Sequence, residues 1–253
     1  MSLQETQDEG VRLLRPVHAT RTAASHAAFL VPHLRPGMDL LDLGCGPGSI
    51  TLGLAAAVAP GQTVGVDLHP QPVTGIRVVA ADAARLPFPD GAFDAIHAGA
   101  LLQHVADPLA VLREARRVAR PGAVIGLADA DWDGELLHPA DDTLRRSLAL
   151  ARRFREGTSP YVGRRLRELL VQAGFRDVTA SARAVCYGTP EQTREAAATM
   201  AALFAYPAAV ARALGEGWAT EAELAAMSRA WQEWGEQPGA YLARFWCEAV
   251  GWA

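Results

Sequence analysis

Asp42, Gly44, Cys45, Gly46 and Gly48 fall in the run Leu41-Asp42-Leu43-Gly44-Cys45-Gly46-Pro47-Gly48, between an apolar stretch and the apolar start of a helix. A strand, a glycine turn and a helix in that order bring free backbone N–H groups together at a helix N-terminus, where a nucleotide-like ligand can be held. A dinucleotide fingerprint needs Gly-x-Gly-x-x-Gly, whose third glycine packs helix on strand. Here the spacing is Gly-x-Gly-x-Gly and the next glycine, Gly53, lies too far on. A nucleotide-dependent oxidoreductase is therefore the weaker reading. Asp67 closes a second apolar run 23 residues after Gly44, near where an acidic side chain accepts ribose hydroxyls in nucleotide-binding sheets.

The elements that must hold these residues alternate between short apolar runs and helical patterns, which implies parallel βαβ units. A helix is expected over Thr20–Val31, then strands over Met38–Leu43, Thr63–Val66, Ile76–Ala80, Phe93–Ala98 and Ala123–Ala128, the last introduced by the turn pair Pro121-Gly122. Leu109, Leu112, Ala115 and Val118 give a helical spacing over Pro108–Val118. Val178–Tyr187 and Tyr241–Val250 read as the final two strands, and Thr189–Gln237 between them as helical.

Three stretches beyond the glycine turn carry a family likeness: Leu86-Pro87-Phe88-Pro89-Asp90-Gly91-Ala92-Phe93-Asp94, Leu101-Leu102-Gln103-His104-Val105 with Asp107-Pro108, and Arg113-Glu114 with Arg117-Val118 and Arg120-Pro121-Gly122. Together with Asp42 to Gly48 they resemble the class I S-adenosylmethionine-dependent methyltransferases, in the branch of the ubiquinone/menaquinone C-methyltransferases. The resemblance implies an α/β, Rossmann-like doubly wound sheet of seven strands with the last antiparallel, a helical insertion between the last two strands, and S-adenosylmethionine as cofactor. It implies a cofactor-binding set of Asp42, Gly44, Cys45, Gly46, Gly48, Asp67, Leu68, Asp82, Ala83 and Ala98. Asp82 is the acid it places against the adenine amino group. The expected layout is a single domain over residues 1–253, with a cofactor core at 20–130 and an insertion at 189–237 able to act as a substrate lid.

The implied reaction is methyl transfer to a small, apolar or aromatic molecule, on carbon or oxygen. Such transfer is an in-line displacement, so positioning supplies much of the catalysis, and a general base is needed only for a hydroxyl or acidic carbon. His104 is the best-placed candidate by resemblance, followed by His97 and Tyr161. A catalytically silent S-adenosylmethionine-binding protein is the alternative. It is motivated by one departure from the family: only Leu68 to Gly75 separates Asp67 from Ile76, where the family has a crossover helix. Eight residues reach at most about 26–29 Å, enough to recross a strand of about 17–20 Å only if stretched. Pro70 and Pro72 forbid a helix there. The segment reads either as a short native variant or as two family segments joined with the helix between them lost.

Composition narrows the remaining classes. All 24 basic residues are arginine, so a Walker-type phosphate loop and a Schiff-base mechanism, which need lysine, are excluded. A net charge of −4 offers no global field for nucleic acid. The three cysteines are far apart and form no His/Cys cluster at metal-ligand spacing, so no metal is expected. No apolar run reaches the roughly 18 residues of a membrane helix. Ser2 to Glu9 are polar and acidic, unlike a secretory leader, so a reduced cytoplasm is the expected location and a monomer or homodimer the expected state. Thr143–Glu168 holds eight arginines, read as a solvated helix face over inward Leu144, Leu148, Ala151 and Phe154. The sharper alternative for Arg152, Arg153 or Arg164 is recognition of an anionic substrate. Leu224, Met227, Ala230, Trp231 and Trp234 are read as a packing stripe.

Overall fold

The computed structural model describes residues 20–155 and 158–253. Seven strands run in the order β3-β2-β1-β4-β5-β7-β6: β1 Leu40–Leu43, β2 Thr63–Asp67, β3 Arg77–Ala80, β4 Phe93–Gly99, β5 Ala119–His138, β6 Arg176–Tyr187 and β7 Tyr241–Trp252. The β1–β2, β1–β4, β2–β3 and β4–β5 pairs are parallel. The last strand is antiparallel: its terminal neighbour Ala253 exchanges backbone hydrogen bonds with Gly122 and Ala123 at the start of β5. This is the Rossmann-like sheet that the resemblance implies.

The described residues divide into two compact units, one of residues 20–130, 161–183 and 246–253, the other of residues 131–155, 158–160 and 184–245. In the first unit β1, β2 and β4 bury both faces, as parallel strands must when helices cover each side, whereas β3 is partly exposed. Leu40, Ala95 and Val124 pack with α1 (Ala23–His26) and α2 (Ser49–Val58). Leu41, Leu43, Ile96, Ala98, Ile125 and Leu127 point the other way, toward α3 (Pro108–Val118) and α5 (Leu166–Gln172). The alternation puts Asp42 and His97 on the α1/α2 face, because side chains two apart on a strand share a face.

The second unit contains α4 (Asp142–Arg153) and the insertion helices α6 (Pro190–Ala205), α7 (Pro207–Gly215) and α8 (Glu221–Gly235). Leu144, Leu148 and Ala151 are buried, as the helical spacing requires, with Phe154 packed against the same cluster. Trp231 and Trp234 are fully buried, and the Trp231 indole N–H donates to Ser147 Oγ at 2.8 Å. The aromatic stripe is therefore packing. Among the described residues no single helix is long and apolar enough to cross a membrane.

The likeness-bearing segments after the glycine turn turn out to be fasteners. Arg117 donates to the carbonyls of Leu86 and Phe88 and to Asp90 and Glu114, clamping the loop before β4 onto α3. Arg120 pairs with Asp94 and Asp39, tying the starts of β1, β4 and β5 together. The Arg117 hydrogen bond holds Glu114 below the usual carboxylate range, against the opposing effect of burial.

Two expected boundaries are wrong for physical reasons. The helix expected over Thr20–Val31 is only one α-turn, Ala23–His26 with a Thr22–Ser25 capping box, followed by a 3-10 turn at Val31–His33 around Pro32. The fifth strand is 20 residues long rather than six. Pro121-Gly122 does not introduce it but lies within it, where the pairing slips from Phe93↔Ala119 to Ala95↔Val124 and Gly122 takes a φ of +81°. That is a bulge, which absorbs turn-type residues without ending a strand. The link between β2 and β3 is as expected: the two strands pair in parallel and residues 68–76 join them with no helix between. The only pairing within that link is an isolated Val73–Ile76 bridge.

Candidate functional site

The site lies in the first unit, at the carboxyl ends of β1, β2, β3 and β4. The glycine turn leaves β1 with the Gly44 and Cys45 N–H groups donating to Val66 O at 2.8 and 3.0 Å, so it is stitched to β2. Its next N–H, that of Gly46, donates to the Asp67 carboxylate at 3.0 Å. Asp67 also accepts from the His69 N–H at 3.0 Å. One carboxylate at the end of β2 thus holds both the turn and the start of the short linker.

The turn's glycines differ in what surrounds them. A Cβ on Gly46 would meet nothing within 4 Å, so this side of the turn is open for a ligand to approach the backbone. A Cβ on Gly48 would come within 2.5 Å of a Val73 methyl. Gly48 also has a φ of +78°, which penalises any side chain, and it caps α2 without a side-chain hydrogen bond. Val73 belongs to the linker that replaces the crossover helix, so that linker folds back onto the glycine turn. Leu101 packs against Gly44 from the loop after β4.

Beneath the turn is a buried polar cluster. Asp42 Oδ2 accepts from Thr51 Oγ1 on α2, and Asp42 Oδ1 lies 2.7 Å from His97 Nδ1 on β4. Asp42 and His97 are 2% and 1% exposed. Both oxygens of Asp42 are engaged, which joins β1, β4 and α2 under the turn. Cys45 is buried as well; desolvation first, then the charges of Asp42 and Asp67, push its thiol up to about 12, so it stays neutral and is no nucleophile.

The other expected residues are placed as follows. Asp82 is exposed after β3 and accepts from the Ala84 N–H at 2.9 Å. Leu68 is exposed after β2. Ala83 and Ala98 are buried within the core cluster of the opposite sheet face, so only their backbone is available to a ligand. His104 is exposed and ends a 3-10 turn, Leu102–His104, that follows β4. Tyr161 is 42% exposed, with the Arg164 guanidinium 5.4 Å from its ring centre. Among the described residues no three His, Cys, Asp or Glu gather as a metal site.

Val73, Leu101 and Asp129 are site residues that sequence reasoning passed over. Asp129 follows Ala128 at the edge where Asp67 and Asp82 stand on their own strands, and the same positional signal could have found it. It is 1% exposed and accepts from the backbone N–H groups of Gln103 and Ala130 at 3.3 and 3.1 Å. Burial nevertheless pushes its carboxyl up to about 7. Val73 carries no such signal, because its contact exists only through the atypical linker.

The family described as methyltransferase domain matches residues 41–127, which run from β1 to β5 and include the glycine turn, Asp67 and Asp82. Over these residues the chain resembles the class I S-adenosylmethionine-dependent methyltransferases. Over 201 residues the chain is 29% identical to an uncharacterized methyltransferase of Schizosaccharomyces pombe, covering 70% of this chain and 71% of that one. It is 34% identical over 178 residues to an uncharacterized 37.1 kDa protein in a transposon of Streptomyces fradiae, covering 65% and 52%. It is 40% identical over 112 residues to a demethylmenaquinone methyltransferase of Symbiobacterium thermophilum, covering 38% and 45%. The match thus spans about half the length of the latter two relatives. The crystal structure of the YcgJ protein of Bacillus subtilis shares the fold, with a TM-score of 0.56 at 15% identity over 89% of this chain and 96% of that one. The cofactor of the family is S-adenosylmethionine, and the open Gly46 face beside an acid at the end of β2 fits it.

Proposed function

We propose that this protein transfers a methyl group from S-adenosylmethionine to a small, apolar or aromatic acceptor, on carbon or oxygen, in the cytoplasm. The observation that carries the reading is the junction of Gly46 and Asp67: an open glycine backbone bonded to a carboxylate at the neighbouring strand end. The likeness to a demethylmenaquinone methyltransferase over 112 residues supports an aromatic, quinol-like acceptor.

S-adenosylmethionine supplies a methyl carbon made electrophilic by its sulfonium. The chain's part is to hold and orient. Asp67 offers its charge to the ribose hydroxyls, and Asp82 stands at the next strand end for the adenine amino group. Gly44, Gly46 and Gly48 let the backbone approach, while Cys45, Leu68, Ala83 and Ala98 line the same edge. Asp42 acts by positioning the turn through Thr51 and His97. His104, exposed just beyond β4, is the side chain we assign to taking a proton from an acceptor hydroxyl, with Tyr161 as the second candidate.

The test is transfer of labelled methyl from S-adenosylmethionine to a panel of quinols, phenols and apolar acids, with the product identified by mass. Labelled product that disappears in His104→Ala while cofactor binding persists supports the reading. Cofactor binding without turnover of any acceptor favours the catalytically silent alternative.

A further inference from the structure

His104 ends a turn that has no cap of its own. After β4 the chain passes through Ala100 into the single 3-10 turn Leu102–His104, closed by the His104 N–H donating to Leu101 O at 2.9 Å. The N–H groups that open such a turn have no partner within it, and Leu101, at the N-cap, has no side-chain oxygen to offer them. The acceptor comes from the neighbouring strand. Asp129 follows Ala128, whose pairing with Gly99 ends the β4–β5 ladder, and its carboxylate accepts from the Gln103 N–H at 3.3 Å. The Leu102 N–H is hydrogen-bonded to the same carboxylate. The other Asp129 oxygen accepts from the Ala130 N–H at 3.1 Å.

The backbone around the turn shows that its position is imposed. Ala100 has a φ of +56°, a left-handed conformation that is unfavourable for alanine and persists only where its surroundings fix it. Its N–H donates to Ala128 O at 2.8 Å, so the bend is tied to β5 one residue before Asp129. Leu102 is sealed in the core, and Leu101 packs on Gly44 of the glycine turn. A buried carboxylate is a costly acceptor for backbone N–H groups, and here it is spent on the turn that carries His104.

Asp129 also seats the segment that carries Tyr161. A Cβ on Gly163, two residues after Tyr161, would stand 3.0 Å from the carbonyl oxygens of both Asp129 and Ala130. Only glycine lets that segment lie so close to β5. The side chain of Asp129 thus holds the His104 turn, and its backbone holds the approach of Tyr161. We infer that Asp129 is the positioning residue of the acceptor side: it fixes His104, and through Gly163 also Tyr161, without itself touching the acceptor. This rests on the reading of His104 as the group that takes the acceptor's proton.

The experiment is a double-mutant cycle of Asp129→Asn and His104→Ala. Asparagine keeps the size of the side chain but cannot accept at both terminal atoms. Transfer of labelled methyl to the phenol or quinol that gives most product with the wild type is measured beside calorimetric titration of S-adenosylhomocysteine and amide hydrogen exchange. Asp129→Asn is expected to lower kcat by about tenfold or more, with KM for S-adenosylmethionine and affinity for S-adenosylhomocysteine unchanged. The double variant should be no slower than His104→Ala, because Asp129 acts through the histidine. Exchange of the Leu102 and Gln103 amides should quicken by about tenfold. Asp129→Ser, with a shorter side chain and a single oxygen, is expected to behave in the same way and serves if the asparagine variant fails to fold. Unchanged turnover in Asp129→Asn, losses that multiply in the double variant, or unchanged exchange overturns the inference. Full turnover in His104→Ala overturns instead the reading on which it rests. If the wild type methylates no acceptor, the proposed reaction falls, and the exchange of Leu102 and Gln103 decides whether Asp129 holds the turn.

Discussion

The Gly46 N–H donates to the Asp67 carboxylate at 3.0 Å, so the acid that closes β2 is bonded to the centre of the glycine turn that follows β1. A ligand seated on the turn therefore meets a carboxylate already aimed by the backbone it binds. Asp67→Ala is expected to weaken binding of S-adenosylhomocysteine by about 1–3 kcal/mol, the range for hydrogen bonds to a charged group. Calorimetric titration reads this directly, and unchanged affinity removes Asp67 from the site.

Gly48 and Val73 are expected to be coupled. Gly48→Ala places a Cβ in a left-handed conformation, at about 1–2 kcal/mol, and drives it into the Val73 methyl that stands 2.5 Å away, with an overpacking cost of about 1–3 kcal/mol. Adding Val73→Ala should recover the second contribution and not the first. Denaturant midpoints of the two single variants and the double variant give the coupling, and strict additivity would show that the linker does not press on the turn.

The Asp129 carboxyl, raised by burial to about 7, sets a pH dependence. Between its unfolded value of about 4 and its folded value the native state binds more protons than the unfolded chain, so this group's contribution to stability falls as pH rises through that window. Asp129→Asn, which cannot ionise, should lessen the loss of stability between pH values of about 5 and 8, by a few kcal/mol at most. Urea unfolding at both pH values checks it; identical pH dependence in the two proteins would place the carboxyl at an ordinary value.

In the second unit Trp231 is fully buried and donates to Ser147 Oγ at 2.8 Å, which in turn donates to Leu144 O at 2.7 Å. Trp231→Ala is expected to cost about 3–5 kcal/mol, and Trp231→Phe less, since it keeps most of the ring volume and loses the N–H. Denaturant unfolding that shows no loss for the alanine variant would contradict a packing role for the stripe.

Much of this was legible in the residues. The glycine turn, the acids at the ends of β2 and β3, and the helical insertion follow from local patterns, because hydrophobic period and turn chemistry are local properties. The bulge at Pro121-Gly122 was not legible: a turn pair and a bulge have the same composition, and only pairing with β4 distinguishes them. The contact between Val73 and Gly48 joins residues 25 apart through a linker with no regular pattern. The burial of His97 could not be read either, since a lone histidine in an apolar strand looks the same whether it faces a core or a ligand.

The central claim is the identity of the cofactor. Calorimetric titration of the wild-type protein with S-adenosylhomocysteine, and separately with NAD, tests it most directly. Saturable binding of S-adenosylhomocysteine at one site, with no heat from NAD, is the predicted result. Binding of NAD in its place, or of neither ligand, would contradict it.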